Sequence, residues 1–167
     1  MRQVLAALGL SRTFGDLSFG VRVGAVLGGH VQNRGQRYAI GPGVVVALAL
    51  DWRVLSAPID PLTLTLGLQL GVSHTTLTAQ GASDPWTATD LRASVTASRT
   101  FFDRLTPYLS LRLFGGPVFW RGAIGSDTTH VQLALGFAVE LVPGWSLHIE
   151  GAAIAERGVF GGLAVAF

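Results

Sequence analysis

The chain has no cysteine, which excludes a disulfide framework, thiol chemistry and any cysteine-ligated metal site. It has no lysine either. All 12 basic residues are arginine, a bias that a GC-rich coding sequence produces and that equally suits bidentate pairing with carboxylates and phosphates. Charge of both signs is scarce: 13% of the 167 residues are charged, against about 25% in an ordinary soluble domain. A net charge of +2, without basic runs interleaved with aromatics, gives no argument for a nucleic-acid surface, and no nucleic-acid partner is expected. Also missing is any run of about 18 apolar residues, the length a membrane-spanning helix requires. The longest candidate, Tyr38 to Leu50, is broken by Gly41, Pro42 and Gly43 and carries the β-branched run Val44-Val45-Val46. The stretch Val4 to Leu10 is too short for the apolar core of a secretory leader, so the chain reads as a mature protein behind an added Met.

What is present is apolar. Hydrophobic residues make up 49% of the chain, and the mean hydropathy is +0.47. An apolar chain without helical spans has one common solution in a bilayer: strands that satisfy one another's backbone hydrogen bonds in a closed barrel. The side-chain period is 2 nearly throughout, as that solution demands. Val4, Ala6, Leu8 and Leu10 occupy one parity, and from Leu17 the large residues change to the other: Leu17, Phe19, Val21, Val23, Ala25, Leu27. A hairpin with the two-residue loop Gly15-Asp16 pairs Phe14 with Leu17 on one face, so register itself requires the change.

Further segments follow: Tyr38 to Val54, Leu62 to Thr76, Thr87 to Phe101, Pro107 to Trp120, Thr129 to Leu141, Trp145 to Ala153 and about Gly158 to Phe167. Ile40, Val44, Val46, Leu48, Leu50 and Trp52 are expected on one face of the first of these. The face opposite the aliphatics is mainly Gly, Ala, Ser and Thr, a poor solvated surface but a good crowded lumen. Eight strands leave room for about one layer of side chains inside, so the large aliphatics are expected to face lipid. The expectation is one domain over residues 1–167: an all-β, transmembrane, antiparallel up-and-down β-barrel of 8–10 strands, with nine segments legible. Nine is odd, whereas bacterial single-chain barrels are normally even. A split or merged segment, an upstream strand or an unusual closure would account for it.

Connections alternate in length. Gly15-Asp16, Leu55 to Pro61, Phe102 to Arg104 and Val142 to Gly144 are the shorter set; Val31 to Arg37, Leu77 to Trp86 and Arg121 to Thr128 are the longer. Phe14, Trp52, Phe101, Tyr108, Trp145 and Phe167 gather at the short-turn end, as a membrane-interface girdle would. Arg12 and Arg99 each precede a girdle Phe by two residues on the lipid face, from where they can snorkel to headgroups. Gly162, Val165 and the terminal Phe167 have the spacing of an assembly signal. With it, the chain resembles small Gram-negative outer-membrane barrels of the outer-membrane protein A and W type. That resemblance implies an outer-membrane location, surrounding lipid and a barrel-assembly machinery as partners, and no cofactor.

The expected lumen sets Arg22, Arg53, Arg92 and Arg112 against Asp51, Asp90, Glu140 and Glu150, with His148 nearby. Isolated charges in a narrow interior are costly, so pairing is expected. One function is a salt-bridge-filled interior in a structural or interaction protein; another is a narrow passive channel in which Arg112 and Glu150 set ion preference. Phe114, Val118 and Trp120 share Arg112's inward parity and favour occlusion. A third reading is an outer-membrane hydrolase with a rim site drawn from His30, His74, Asp84, Asp127 and His130, with Ser73 or Ser126 as nucleophile. Ser73 and His74, adjacent on a strand, point to opposite faces, and no hydrolase motif is present. Metal binding by His30, Asp127 and His130 has no better support. Gly41-Pro42-Gly43 and Gly115-Gly116-Pro117 open no helix and read as bulges, not phosphate loops.

Overall fold

The structure, a computed structural model, describes residues 2–33, 35–56, 62–79, 81–126, 130–154 and 158–165. The elements along these residues are all strands: β1 (Arg2–Phe14), β2 (Leu17–Asn33), β3 (Gln36–Ile40), β4 (Gly43–Ser56), β5 (Leu62–Ala79), β6 (Ala82–Arg99), β7 (Leu105–Gly115), β8 (Pro117–Trp120), β9 (Ala123–Ser126), β10 (Val131–Val142), β11 (Trp145–Ala152) and β12 (Gly158–Val165). Hydrogen-bonded neighbours follow the order β1-β2-β3-β5-β6-β7-β10-β11-β12, with β4 beside β2 and β5, β8 beside β6, and β9 beside β8. The ladders are antiparallel, as expected of an up-and-down meander.

Two of the expected segments are each split where Gly and Pro interrupt the ladder. Gly41 and Pro42 separate β3 from β4, and Gly116 separates β7 from β8. A third difference is β9, which lies inside the stretch expected to be a loop and forms a hairpin with β8. Trp120 pairs with Ala123, and the two turn residues both have positive φ, Arg121 at 52° and Gly122 at 74°. That is the type I′ geometry favoured in tight hairpins, built here with Arg where Asn or Asp is usual. The path of neighbouring strands still contains nine among the described residues, with β1 and β12 at its two ends.

The break at Gly41-Pro42 also corrects a face. Ile40 was expected on the side of Val44, Val46 and Leu48, but it is buried while those three are exposed. Ile40 pairs with Leu77, the Gly41 N–H donates to Thr76 O at 2.8 Å, and Thr75 Oγ1 donates to the Gly41 carbonyl at 2.6 Å. An extra residue accommodated in this way reverses the alternation downstream.

The chain forms two compact units. The first comprises Met1–Leu50, Leu68–Arg92 and Gly115–Thr128; the second comprises Asp51–Gly67, Ala93–Phe114 and Thr129–Phe167. In the first, the buried side chains Val26, Tyr38, Ile40 and Leu77 form an apolar cluster flanked by Val31, Val45, Ala79, Trp86 and Trp120. Tyr38 on β3 meets Trp120 on β8 with ring centroids 4.9 Å apart, although β5 and β6 lie between those strands. Flat neighbours are about 4.8 Å apart per step, so the sheet of this unit must curl for the rings to touch. In the second unit the largest fully buried side chains are polar, Gln132 and Ser110 both at 0% exposure.

Burial is therefore inverted along the regular strands. Leu8, Leu10, Val23, Leu48, Leu70, Leu91, Leu111 and Leu135 are exposed, whereas Thr75, Ser110 and Gln132 are buried. Each exposed large aliphatic left in water forgoes about 1.5–3 kcal/mol, and monomeric soluble proteins rarely expose apolar patches beyond a few hundred Å².

Candidate functional site

The densest polar constellation lies in the second unit, on inward positions of β7, β10 and β11. Period-2 alternation places Tyr108, Ser110 and Arg112 on the face opposite Leu109, Leu111 and Leu113. Register then sets Arg112 opposite Gln132 and Ser110 opposite Ala134. Arg112 grips Glu150 with both terminal nitrogens, at 2.7 Å to Oε1 and 2.6 Å to Oε2. Arg112 Nη1 also donates to Gln132 Oε1 at 3.2 Å, and the Tyr108 hydroxyl donates to Glu150 Oε2 at 3.0 Å. The bidentate pairing has the strong fork geometry of a guanidinium on a carboxylate. Its side chains are only 23% and 12% exposed, so each charge depends on the other for compensation. On the same face, Ser110 Oγ lies 2.9 Å from Thr96 Oγ1 of β6.

Gly136 makes this arrangement possible. It pairs directly with Tyr108, and a Cβ there would stand 2.5 Å from Tyr108 Cζ. The missing side chain lets the phenol lie across β10 toward Glu150. Tyr108 was expected in the interfacial girdle. Its inward parity and its bond to Glu150 assign it to the interior network instead.

The remaining expected lumen charges have contacts of their own. Asp90 and Arg92 pair with each other, an ion pair between residues of one strand face. Asp51 lies beside Gly67, where a Cβ would meet its Oδ1 at 2.7 Å. The aliphatic stem of Arg22 runs over Gly9, and Arg53 is exposed on β4. His148 Nε2 is 2.9 Å from Ser146 Oγ. Glu140 is exposed and accepts the Gly144 N–H at 3.3 Å, closing the β10–β11 turn. The structure thus gathers Arg112 and Glu150 with Tyr108 and Gln132.

Of the expected girdle, Phe14, Trp52, Phe101 and Trp145 are exposed. Arg12 lies over the Phe14 ring at 4.9 Å and Arg99 over the Phe101 ring at 5.2 Å, so both arginines cover an aromatic face. In the expected assembly signal, Gly162 pairs with His148 and Val165 with Trp145 on β12; Phe167 lies outside the described residues.

Each described rim histidine and aspartate weighed for a hydrolase site has a local partner. His30 Nδ1 faces Arg37 at 3.2 Å, His74 Nδ1 faces Thr87 Oγ1 at 2.8 Å, His130 Nδ1 faces the Phe114 carbonyl oxygen at 3.1 Å, and Asp84 is paired with Arg121. Ser73 lies on β5 and Ser126 on β9, and Asp127 is outside the described residues. Among the described residues no group of three or more His, Cys, Asp or Glu is placed to hold a metal.

Sequence reasoning missed several contributors. Gln132 and Ser110 carried no signal beyond inward parity. Phe102, 91% exposed at a turn where it and Asp103 have φ of 54° and 55°, adds an aromatic beside Phe101 that the Phe-Phe pair could have flagged. In the first unit, Trp86 pairs with Trp120, and Asp84 Oδ2 accepts from Arg121 Nε at 2.6 Å. The Trp120 indole N–H is buried without an acceptor among the described residues, a state that costs about 1–3 kcal/mol. No protein-family model matches the chain, and no curated protein matches it in sequence.

Proposed function

We propose that this chain is an integral β-barrel of a Gram-negative-type outer membrane, with a largely filled interior and a structural or interaction role. The observation that carries the reading is the inverted burial: Leu8 is 86% exposed while Gln132 is fully buried. Hydrocarbon is the solvent that makes such a surface stable, and a closed antiparallel sheet is the strand architecture hydrocarbon permits. The exposed aromatics capped by Arg12 and Arg99 suit an interface where rings sit at headgroup level and guanidinium groups reach water. Outer-membrane lipid is the constant partner in this reading, and assembly machinery recognising the Gly162, Val165 and Phe167 end is the transient one.

A narrow passive channel is the second reading. It is favoured by the solvent contact that the interior ion pairs retain, with 22% and 29% exposure at Arg92 and Asp90.

Quenching by brominated acyl chains tests the membrane assignment. Single-tryptophan variants in vesicles are expected to show strong quenching at Trp52 and Trp145 and little at Trp86 and Trp120. Equal quenching at all four, or a detergent-free soluble monomer, would contradict the barrel. Planar-bilayer recording separates the two roles: a filled barrel passes little current, a channel a steady one.

A further inference from the structure

Trp120 ends β8 and is held from several sides within the first unit. Its ring meets Tyr38 edge-on, it lies opposite Trp86 in the β6–β8 ladder, and it packs against the cluster of Val26, Tyr38, Ile40 and Leu77. The Arg121 guanidinium sits over its face, 5.0 Å from the centroid, and is itself bonded to Asp84 on β6 at 2.6 Å. This aromatic layer reaches from β3 to β8 across the inner face of a curled sheet, where bulky side chains fill the available space. An apolar constriction of this kind stops ions by excluding water.

Two observations make the layer an unusual filling. The indole N–H has no acceptor in this position among the described residues, so moving the ring toward water satisfies a group that the closed position does not. The bond that holds it is also accessible, with the Arg121 side chain 48% exposed. An exposed ion pair is weakened by salt and contributes modestly.

The geometry points to Trp120 as an ion gate of the barrel interior, closed by packing on Tyr38 and Trp86 and latched by Asp84 through Arg121. The gate rests on the membrane-barrel reading and adds to it which side chain blocks permeation, and that small ions are what it blocks.

The test uses the full chain in planar bilayers. The unmodified protein is expected to be nearly silent at low salt. Asp84→Asn, which removes the latch while leaving the aromatic layer, is expected to raise the fraction of open time about fivefold, matching the upper contribution of an exposed pair. Trp120→Ala is expected to conduct steadily. A second readout covers any folding defect in Trp120→Ala. Since the chain has no cysteine, Val26→Cys can be probed with a water-soluble maleimide. It should be protected alone and labelled faster when combined with Asp84→Asn. If both gate variants stay silent and Val26→Cys stays protected while brominated lipid still quenches Trp52 and Trp145, the gate is overturned and the barrel stands. If the lipid quenching fails as well, the barrel reading falls and takes the gate with it.

Discussion

On the inner face of the first unit stand Val26, Tyr38, Ile40 and Leu77, with Trp86 and Trp120 against them; on that of the second stand Tyr108, Arg112, Gln132 and Glu150, joined by directed bonds. Both fill an interior, by different physics. Apolar packing is non-directional, so losing one member costs roughly its own buried area and the cavity it leaves. A network of half-buried charges is mutually dependent, so losing one member exposes the uncompensated charge of another. The second unit should therefore tolerate single substitutions less well and paired ones better.

The largest expected effect is at Glu150. Replacing it with Ala leaves Arg112 without its bidentate partner and should cost about 4 kcal/mol, read from urea titration of tryptophan fluorescence in detergent micelles. Joint replacement of Arg112 by Met and Glu150 by Leu should recover most of that loss, because no lone charge remains. A double variant as unstable as Glu150→Ala would erase the distinction between the units.

Leu77→Ala is the matching probe of the apolar unit. Leu77 is 4% exposed, and truncation should cost about 3 kcal/mol with no dependence on salt. A loss that shrinks in high salt would show that charge, not packing, governs this unit too. Gly136→Ala is expected to cost about 2 kcal/mol by pushing Tyr108 off Glu150. Adding Tyr108→Phe should then produce almost no further loss, as both changes break the same hydrogen bond; independent losses would place Tyr108 outside the network. The smallest effect belongs to the outer face. Arg12→Gln should change stability by under about 1 kcal/mol, detectable as a small shift in the thermal midpoint of heat-dependent gel migration, and a loss comparable to Leu77→Ala would refute that ranking.

Strand positions and outward faces were legible because both follow from period-2 alternation along single segments: Leu62 to Thr76 became β5 and Pro107 onward became β7 with the expected sides. The β8–β9 hairpin was not legible, since Arg121-Gly122 lacks the Asn or Asp that signals a type I′ turn. The face of Ile40 was misread because a bulge reverses parity without leaving a pattern in residue types. In the site, inward charge at Arg112 and Glu150 could be anticipated from parity, and Tyr108 should have been assigned inward with them, since it alternates with Leu109 and Leu111.

The order of residues by itself determined that this protein is built of strands, that each strand has one greasy and one small or polar side, and that charge is rare and, apart from Arg12 and Arg99 beside exposed rings, concentrated on the latter. Those properties are local, set by the alternation of a pleated backbone. Only the folded sheet decided that Arg112 meets Glu150 two strands away and that Tyr38 meets Trp120 three strands away. Such partners depend on register, on bulges and on how sharply the sheet curls, and these arise from the packing of many segments together.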